Sequence, residues 1–443
     1  MKKVLVLGAG HVARPLVDYL HKFENFELTV ADISMQNAAA LCQNHARSKA
    51  IVLDIENDPT ISDHIFQSDV VISLLPYSYH PIVARLCISG KTALVTASYM
   101  TPEIEQLDAE AKAAGIIILK EMGLDPGIDH MSAMQIIDDV QNRGGKMISF
   151  KSYCGGLPAP EADTNPWHYK FSWSPLGVLL AARNDARYLF EKKEVNIAND
   201  DMLHFTESLM LENLALEAYP NRDSIGYIRR YHLPEISTMI RYTLRYPGWV
   251  RSMQALKKIG FLDDKIVPET GQKSDLHTLF QLSVYKDLKM YYDYAAGELW
   301  NQDVATRFEW LGLFDTHFDN PGGRAVSPLD MLTRRMARRM GYMKNERDMI
   351  LLHHEFIYEL DRRMIRRTST LSDYGQPGGD SAMARTVGLP VAIGARLILE
   401  NKIDRSGVLL PLTADIYAPV LIELKRLGIR FQERENTLNS MQV

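Results

Sequence analysis

"VLVLGAGHVA", residues 4–13, is the stretch on which the fold turns. A short run of Val and Leu leads into Gly8-x-Gly10-x-x-Ala13, and a helix-forming segment, "VARPLVDYLHK", follows at once. Glycine at the first position permits a tight turn, and at the second it lets the backbone approach a pyrophosphate held by the helix N-terminus. Alone the pattern is weak. It gains weight here because a strand precedes it, a helix follows it, and a second strand, "ELTVAD", ends in Asp32. An acidic residue about twenty positions after the glycines accepts hydrogen bonds from the adenosine ribose. A 2′-phosphate would meet like charge there, and no arginine adjoins Asp32 in "ADISMQNA", so the sequence favours NAD, with NADP as the alternative.

Working outward, "KAIVLD" (49–54), "DVVISLLP" (69–76), "TALVTAS" (92–98) and "GIIILKE" (115–121) repeat the first theme: short, Val/Ile/Leu-rich and without alternation. Strands buried on both faces of a parallel sheet look like this. Helical segments separate them, such as "TPEIEQLDAEAKAAG", with Thr101 at the N-cap and Pro102 at the first helical position. The expected class is α/β, a Rossmann-type doubly wound parallel sheet. Its ligands gather at the carboxyl ends of the strands.

Beyond residue 130 the rhythm changes. "DHMSAMQIIDDVQNRGG" reads as a helix, "KMISFKSYCGG" and "STMIRYTLRY" as strands, and 247–347 as mostly helical. "HHEFIYELDRRMIRRTSTLSDYG" suggests a hairpin turning near Asp361, and "SAMARTVGLPVAIGARLILE" and "APVLIELKRLGI" suggest helices returning to the first domain.

At 443 residues the chain has room for two or three domains. A net charge of -5 and 24% charged residues give no sign of nucleic acid as a partner. No apolar run approaches the roughly 20 residues of a membrane span, and the run after Lys2-Lys3 breaks at Gly8, too soon for a signal peptide. Cys42, Cys87 and Cys154 are odd in number and widely spaced, which fits reduced thiols in a cytosolic protein. The histidines, His353-His354 included, show no metal-ligand spacing. The basic clusters "TRRMARRM" and "DRRMIRR" alternate with apolar residues, as solvated faces or subunit contacts do.

"GLDPGIDH", "SYCGGLPAPE", "YKFSWSPLGVLLA", "YPNRDS", "TLRYPG" and "DSAMARTVGLP" together span nearly the whole chain. In that order they resemble segments of the saccharopine dehydrogenase family, closest to its L-glutamate-forming members. The resemblance implies a reversible NAD(P)-dependent conversion of saccharopine to L-glutamate and 2-aminoadipate 6-semialdehyde. It also implies a Rossmann domain carrying an inserted α+β domain and a smaller, mostly helical one. The expected division is 1–128 for the nucleotide domain, 129–390 for the insert with a helical part at about 250–345, and 391–443 for a returning tail. A homodimer is expected.

Saccharopine is a secondary amine carrying three carboxylates, so its site needs forked cations. By the resemblance Arg222 and Arg245 supply them, joined by Ser98, Tyr99 and Thr243. Asp125 follows the sixth strand at the edge where the cofactor should lie, and a partly desolvated carboxylate there can move protons as an imine is hydrolysed. Pro126 and Gly127 bend the chain so that Asp125 faces the cleft while Asp129 caps the next helix. Tyr99 and Cys154 are the other proton-transfer candidates. The resemblance completes the cofactor set of Gly8, Gly10, Asp32 and Asp125 with His11, Val12, Asp54, Pro76, Tyr77 and Ser174. Two rivals stand beside this reading: a carboxynorspermidine or homospermidine synthase-like imine reductase, and a catalytically silent dinucleotide-binding protein.

Overall fold

The computed structural model describes residues 1–43, 45–266, 273–276, 280, 287–315, 317–319 and 326–438. By internal contacts the chain divides into two units. The first is Met1–Met147 with Arg230–Leu233 and Phe356–Val443, and the second is Ile148–Arg229 with Pro234–Glu355.

In the first unit, β1 (Lys2–Leu7), β2 (Phe26–Asp32), β3 (Ser48–Val52), β4 (Val70–Ser73), β5 (Ala93–Thr96) and β6 (Ile117–Leu119) lie parallel. Their order across the sheet is β6-β5-β4-β1-β2-β3, and a seventh strand, Gly407–Leu409, adds in parallel beside β6. The apolar runs form central strands because both faces are covered; every residue of β4, β5 and β6 is buried. The strand order reverses between β1 and β4, which is where such sheets open a crevice.

The boundaries expected at 128 and 390 both fall inside helices, Ile128–Asn142 and Ala382–Leu399, and so cannot divide domains. Each helix belongs wholly to the first unit. Ile128–Asn142 packs on the helix Ala414–Arg426, and Ala382–Leu399 packs on the helix Ala13–Leu20 that follows the glycine loop. A side chain at Gly388 would press on the Val12 carbonyl, so glycine permits that close approach. Ala382–Leu399 is also the one described helix long and apolar enough to span a membrane, and most of it is buried inside the unit.

The second unit is built on a mixed sheet. Its strands are β7 (Lys146–Pro158), β8 (Ala186–Phe190), β9 (Lys193–Ile197), β10 (Glu207–Leu211), β11 (Leu214–Pro220) and β12 (Thr238–Arg245). A small ribbon, β13 (Lys273–Asp275) with β14 (His317–Asp319), stands apart, and β15 (Asp348–Leu360) follows. The main order is β10-β11-β12-β7-β15, with β8 pairing on β12 and β9 on β8. The helices Trp249–Ile259, Leu288–Ala296, Gln302–Leu311 and Pro328–Arg339 surround an aromatic-rich core that includes Trp167, Trp249, Phe261, Tyr292 and Phe308. Residues 267–272, 277–279, 281–286, 316 and 320–325 of the expected helical part lie outside the described ones.

The division falls within β15, after Glu355. In the first unit β16 (Arg363–Tyr374) follows through the two-residue turn Asp361-Arg362, both at positive φ (50° and 63°), as a type I′ hairpin requires. The strand Phe431–Thr437 pairs antiparallel with β16.

Candidate active site

β1 is followed at once by Gly8, whose φ is +100° and whose Cβ would lie 3.3 Å from the Leu74 carbonyl carbon beyond β4. Only glycine fits there. A Cβ at Gly10 would meet nothing within 4 Å, so the backbone is open to an approaching phosphate at the mouth of the helix Ala13–Leu20. His11 is exposed and Val12 half-buried. Thus the loop fits the pyrophosphate of a dinucleotide.

Asp32 closes β2, and both its oxygens are used. Oδ2 accepts the Ala9 amide (2.7 Å) and Oδ1 the Ser34 amide (2.8 Å), so the carboxylate ties the glycine loop to the strand beside it. Asp54, after β3, accepts the Glu56 amide and the Asn57 side chain, both at 2.9 Å. Pro76 and Tyr77 begin the turn after β4, with Tyr77 72% exposed. These residues share the carboxyl edge of one sheet.

Tyr99, beyond β5, donates its phenol proton to Asp125 Oδ1 at 2.7 Å, which joins two of the expected catalytic residues. The loop that presents Asp125 is tightly closed: Gly123 N donates to the Pro126 carbonyl (2.9 Å) and Ile128 N to the Gly123 carbonyl (2.8 Å). The Asp125-Pro126 peptide is cis, and Gly127, at φ +149°, could carry no Cβ without striking Gly123. Asp129 caps from within. The helix N-cap is Gly127, and the Asp129 carboxylate reaches back to its amide at 2.6 Å.

Several buried polar groups on this edge were not singled out by sequence. His80 is 1% exposed; its Nδ1 lies 3.2 Å from Ser73 Oγ, and its Nε2 lies 2.8 Å from Ser98 Oγ and 3.1 Å from Thr96 Oγ1. Burial, helped by the charge of Lys120, pushes its pKa down to about 3, so the ring is neutral at physiological pH and anchors Ser98 as a neutral imidazole. Lys120 is itself fully buried, which lowers its pKa to about 8 against the pull of Glu121, and its ammonium has no hydrogen-bond partner among the described residues. Glu121 accepts the Met100 amide at 2.7 Å and stands 2.9 Å from His130.

In the second unit, Cys154 on β7 pairs in register with Thr243 on β12, which in turn faces Tyr219 on β11. Residues in register share a face, as do those two apart on a strand. Cys154, Thr243 and Arg245 therefore line one side of the sheet, and Arg241, 2% exposed and stacked on Tyr227, extends the row. Arg245 is 4% exposed, with its guanidinium 5.0 Å from the Tyr169 ring and 5.6 Å from Trp249. Its Nη1 donates to the Leu244 carbonyl at 2.7 Å. Arg222 is exposed at positive φ (53°), on the turn after β11 rather than on a strand. Ser174 caps the helix Pro175–Ala181 by accepting the Gly177 amide at 3.2 Å.

Two domain descriptions match the chain almost end to end: the saccharopine dehydrogenase NADP binding domain over residues 4–119, and the saccharopine dehydrogenase C-terminal domain over residues 123–429. This chain belongs to the saccharopine dehydrogenase family. Within that family it is 42% identical to the saccharopine dehydrogenase [NADP(+), L-glutamate-forming] of Saccharomyces cerevisiae, over 98% of this chain and 99% of the yeast protein. The Pyricularia oryzae protein of the same name is 38% identical over matching shares. The mitochondrial alpha-aminoadipic semialdehyde synthase of Bos taurus is 36% identical over 97% of this chain, which spans 47% of that longer protein. The solved structure of the apo yeast saccharopine dehydrogenase superimposes with a TM-score of 0.88, at 41% identity, covering 98% of this chain and all of that one. The Rossmann-type fold read from the saccharopine dehydrogenase resemblance thus holds, and its first unit is a nicotinamide dinucleotide-binding domain. The preference for NAD drawn from Asp32 finds no support in the yeast and Pyricularia proteins, whose names specify NADP(+).

Proposed function

We propose that the protein interconverts saccharopine with L-glutamate and 2-aminoadipate 6-semialdehyde, using a nicotinamide dinucleotide. The observation that carries this reading is the Tyr99–Asp125 hydrogen bond, placed at the carboxyl edge of the dinucleotide-binding sheet. The bound dinucleotide supplies the hydride acceptor in the oxidative direction. The chain's own residues handle protons and carboxylates. The phenol–carboxylate pair takes the proton of the secondary amine, and it serves again when water adds to the imine carbon and glutamate leaves as the amine. Arg245, packed against the Tyr169 and Trp249 rings, and Arg222 bind substrate carboxylates, and the Ser98 and Thr243 hydroxyls are further substrate ligands of this reading. Cys154 stands in the same row as Thr243 and Arg245 as a further proton donor or acceptor.

NADP is the dinucleotide that the relatives' names favour. Because both oxygens of Asp32 already serve backbone amides, that carboxylate has a structural task independent of the ribose. A cytosolic homodimer accompanies the proposal, and Cys42, Cys87 and Cys154 stand outside any disulfide, in keeping with a reducing compartment.

The test is steady-state oxidation of NADPH and of NADH by the purified protein given L-glutamate and aminoadipate semialdehyde together. A rate that requires both co-substrates supports the reading. No rate with either nucleotide defeats it, and a rate with a diamine in place of glutamate selects the polyamine-type reductase.

A further inference from the structure

Glu121 directly follows β6 and the buried Lys120, with its backbone in the left-handed region (φ 59°) and its side chain removed from solvent. A residue bearing a Cβ stays in that region only where its surroundings over-determine it. Here they do. Glu121 N donates to the Ser98 carbonyl at 3.3 Å, and its Oε1 accepts the Met100 amide at 2.7 Å, so one residue clasps the chain on both sides of Tyr99.

The carboxylate is itself held from behind. His130 Nε2 lies 2.9 Å from Oε2, and the other ring nitrogen lies 2.5 Å from the Tyr231 hydroxyl, so both edges of the imidazole are engaged. Arg230 stands 3.8 Å from Oε1, Asp129 Oδ2 is 3.5 Å from His130 Nδ1, and Lys120, next in the chain, is the adjoining charged residue. Burial works against the charge on Glu121, but His130, the Met100 amide and Arg230 outweigh it and keep the carboxyl below its ordinary range. At neutral pH it is an anion.

We propose that Glu121 is a positioning residue of this active site: it fixes the Ser98–Tyr99–Met100 turn so that the Tyr99 phenol stays on Asp125, with His130 and Tyr231 as its backing. None of these groups is asked to touch substrate. Glu121 acts through Tyr99, and only the kinetic part of its test rests on the saccharopine reading.

Two variants probe it. Glu121→Gln keeps an oxygen for the Met100 amide but removes the charge facing His130 and Arg230. Tyr231→Phe removes one hydroxyl from a buried ring and leaves its packing intact, so it stands in if the first variant folds poorly. Turnover should fall about 10- to 100-fold in Glu121→Gln and less in Tyr231→Phe, while the KM for NADPH stays within about twofold of the parent. In a Tyr99→Phe background the Glu121→Gln loss should largely vanish, because residues acting as one unit are not additive. An undiminished loss in that background, or turnover unchanged in both single variants, overturns the proposal. If the parent protein does not turn over saccharopine at all, the function reading fails by itself, and crystal structures of the two variants decide this one. Separation of Tyr99 from Asp125 beyond hydrogen-bonding distance sustains the proposal, and retention of the contact removes it.

Discussion

Replacing Lys120 with methionine should stabilise the protein. The side chain is fully buried at the end of β6, and its ammonium has no hydrogen-bond partner among the described residues. Burial is the main cause that brings its pKa from 10.5 to about 8, with the Glu121 carboxylate pulling the other way. At about 1.4 kcal/mol per pH unit, keeping the charged form in this site costs about 3 kcal/mol. Methionine fills a similar volume with no charge, so Lys120→Met should gain about 2–3 kcal/mol at pH 7. For a unit of this size that is roughly 2–4 °C in Tm per kcal/mol. The sign with pH follows from proton counting. Between about pH 8 and 10.5 the unfolded lysine still binds a proton that the folded one has lost, so the parent gains stability as pH rises. The advantage of methionine is therefore full below pH 8 and shrinks toward pH 10.5. Urea unfolding of both proteins at pH 7 and pH 10 measures it. A methionine variant less stable than the parent at pH 7, or a gap of the same size at both pH values, would refute the reasoning.

Tyr99→Phe deprives Asp125 of its phenol donor, so kcat should drop by about two orders of magnitude with cofactor affinity nearly unchanged; a loss seen mainly as a higher nucleotide KM would make Tyr99 a binding residue. Asp32→Ala frees the Ala9 and Ser34 amides together, and fluorescence titration should show NADPH and NADH weakened alike, by about tenfold each. A change confined to one nucleotide would show that the carboxylate reads the ribose substituent. Arg245→Lys keeps the charge but loses the fork and the contact with Tyr169 and Trp249, and should raise the KM for saccharopine about tenfold while leaving that for the nucleotide unchanged. Burial pushes the Cys87 thiol far up, so a thiol reagent should modify the half-buried Cys42 in the folded protein and reach Cys87 only on unfolding; equal rates would contradict the burial.

The sequence by itself determined the nucleotide-binding half of the fold. Six unbroken Val/Ile/Leu runs can satisfy their apolar surface only as central parallel strands, and Gly8 can be nothing but glycine where Leu74 comes so close. It also determined the hairpin at Asp361 and the family, because long motifs carry many residues at once. It drew domain boundaries through two helices, since helix periodicity marks which face is buried and not which distant element buries it. The three residues Gly407–Leu409 carry too little local pattern to announce a strand, and only β6 makes them one. In the same way "LKE" reads as the tail of a strand, with nothing in its letters to say that Lys120 is entombed beside His80 or that Glu121 meets Met100, His130 and Arg230. Asp32 shows the limit most plainly: its spacing pointed to a ribose and said nothing of the Ala9 and Ser34 amides that its two oxygens accept. Local sequence encodes burial through side-chain chemistry, but hydrogen-bond partners far apart in the chain are chosen by tertiary packing alone.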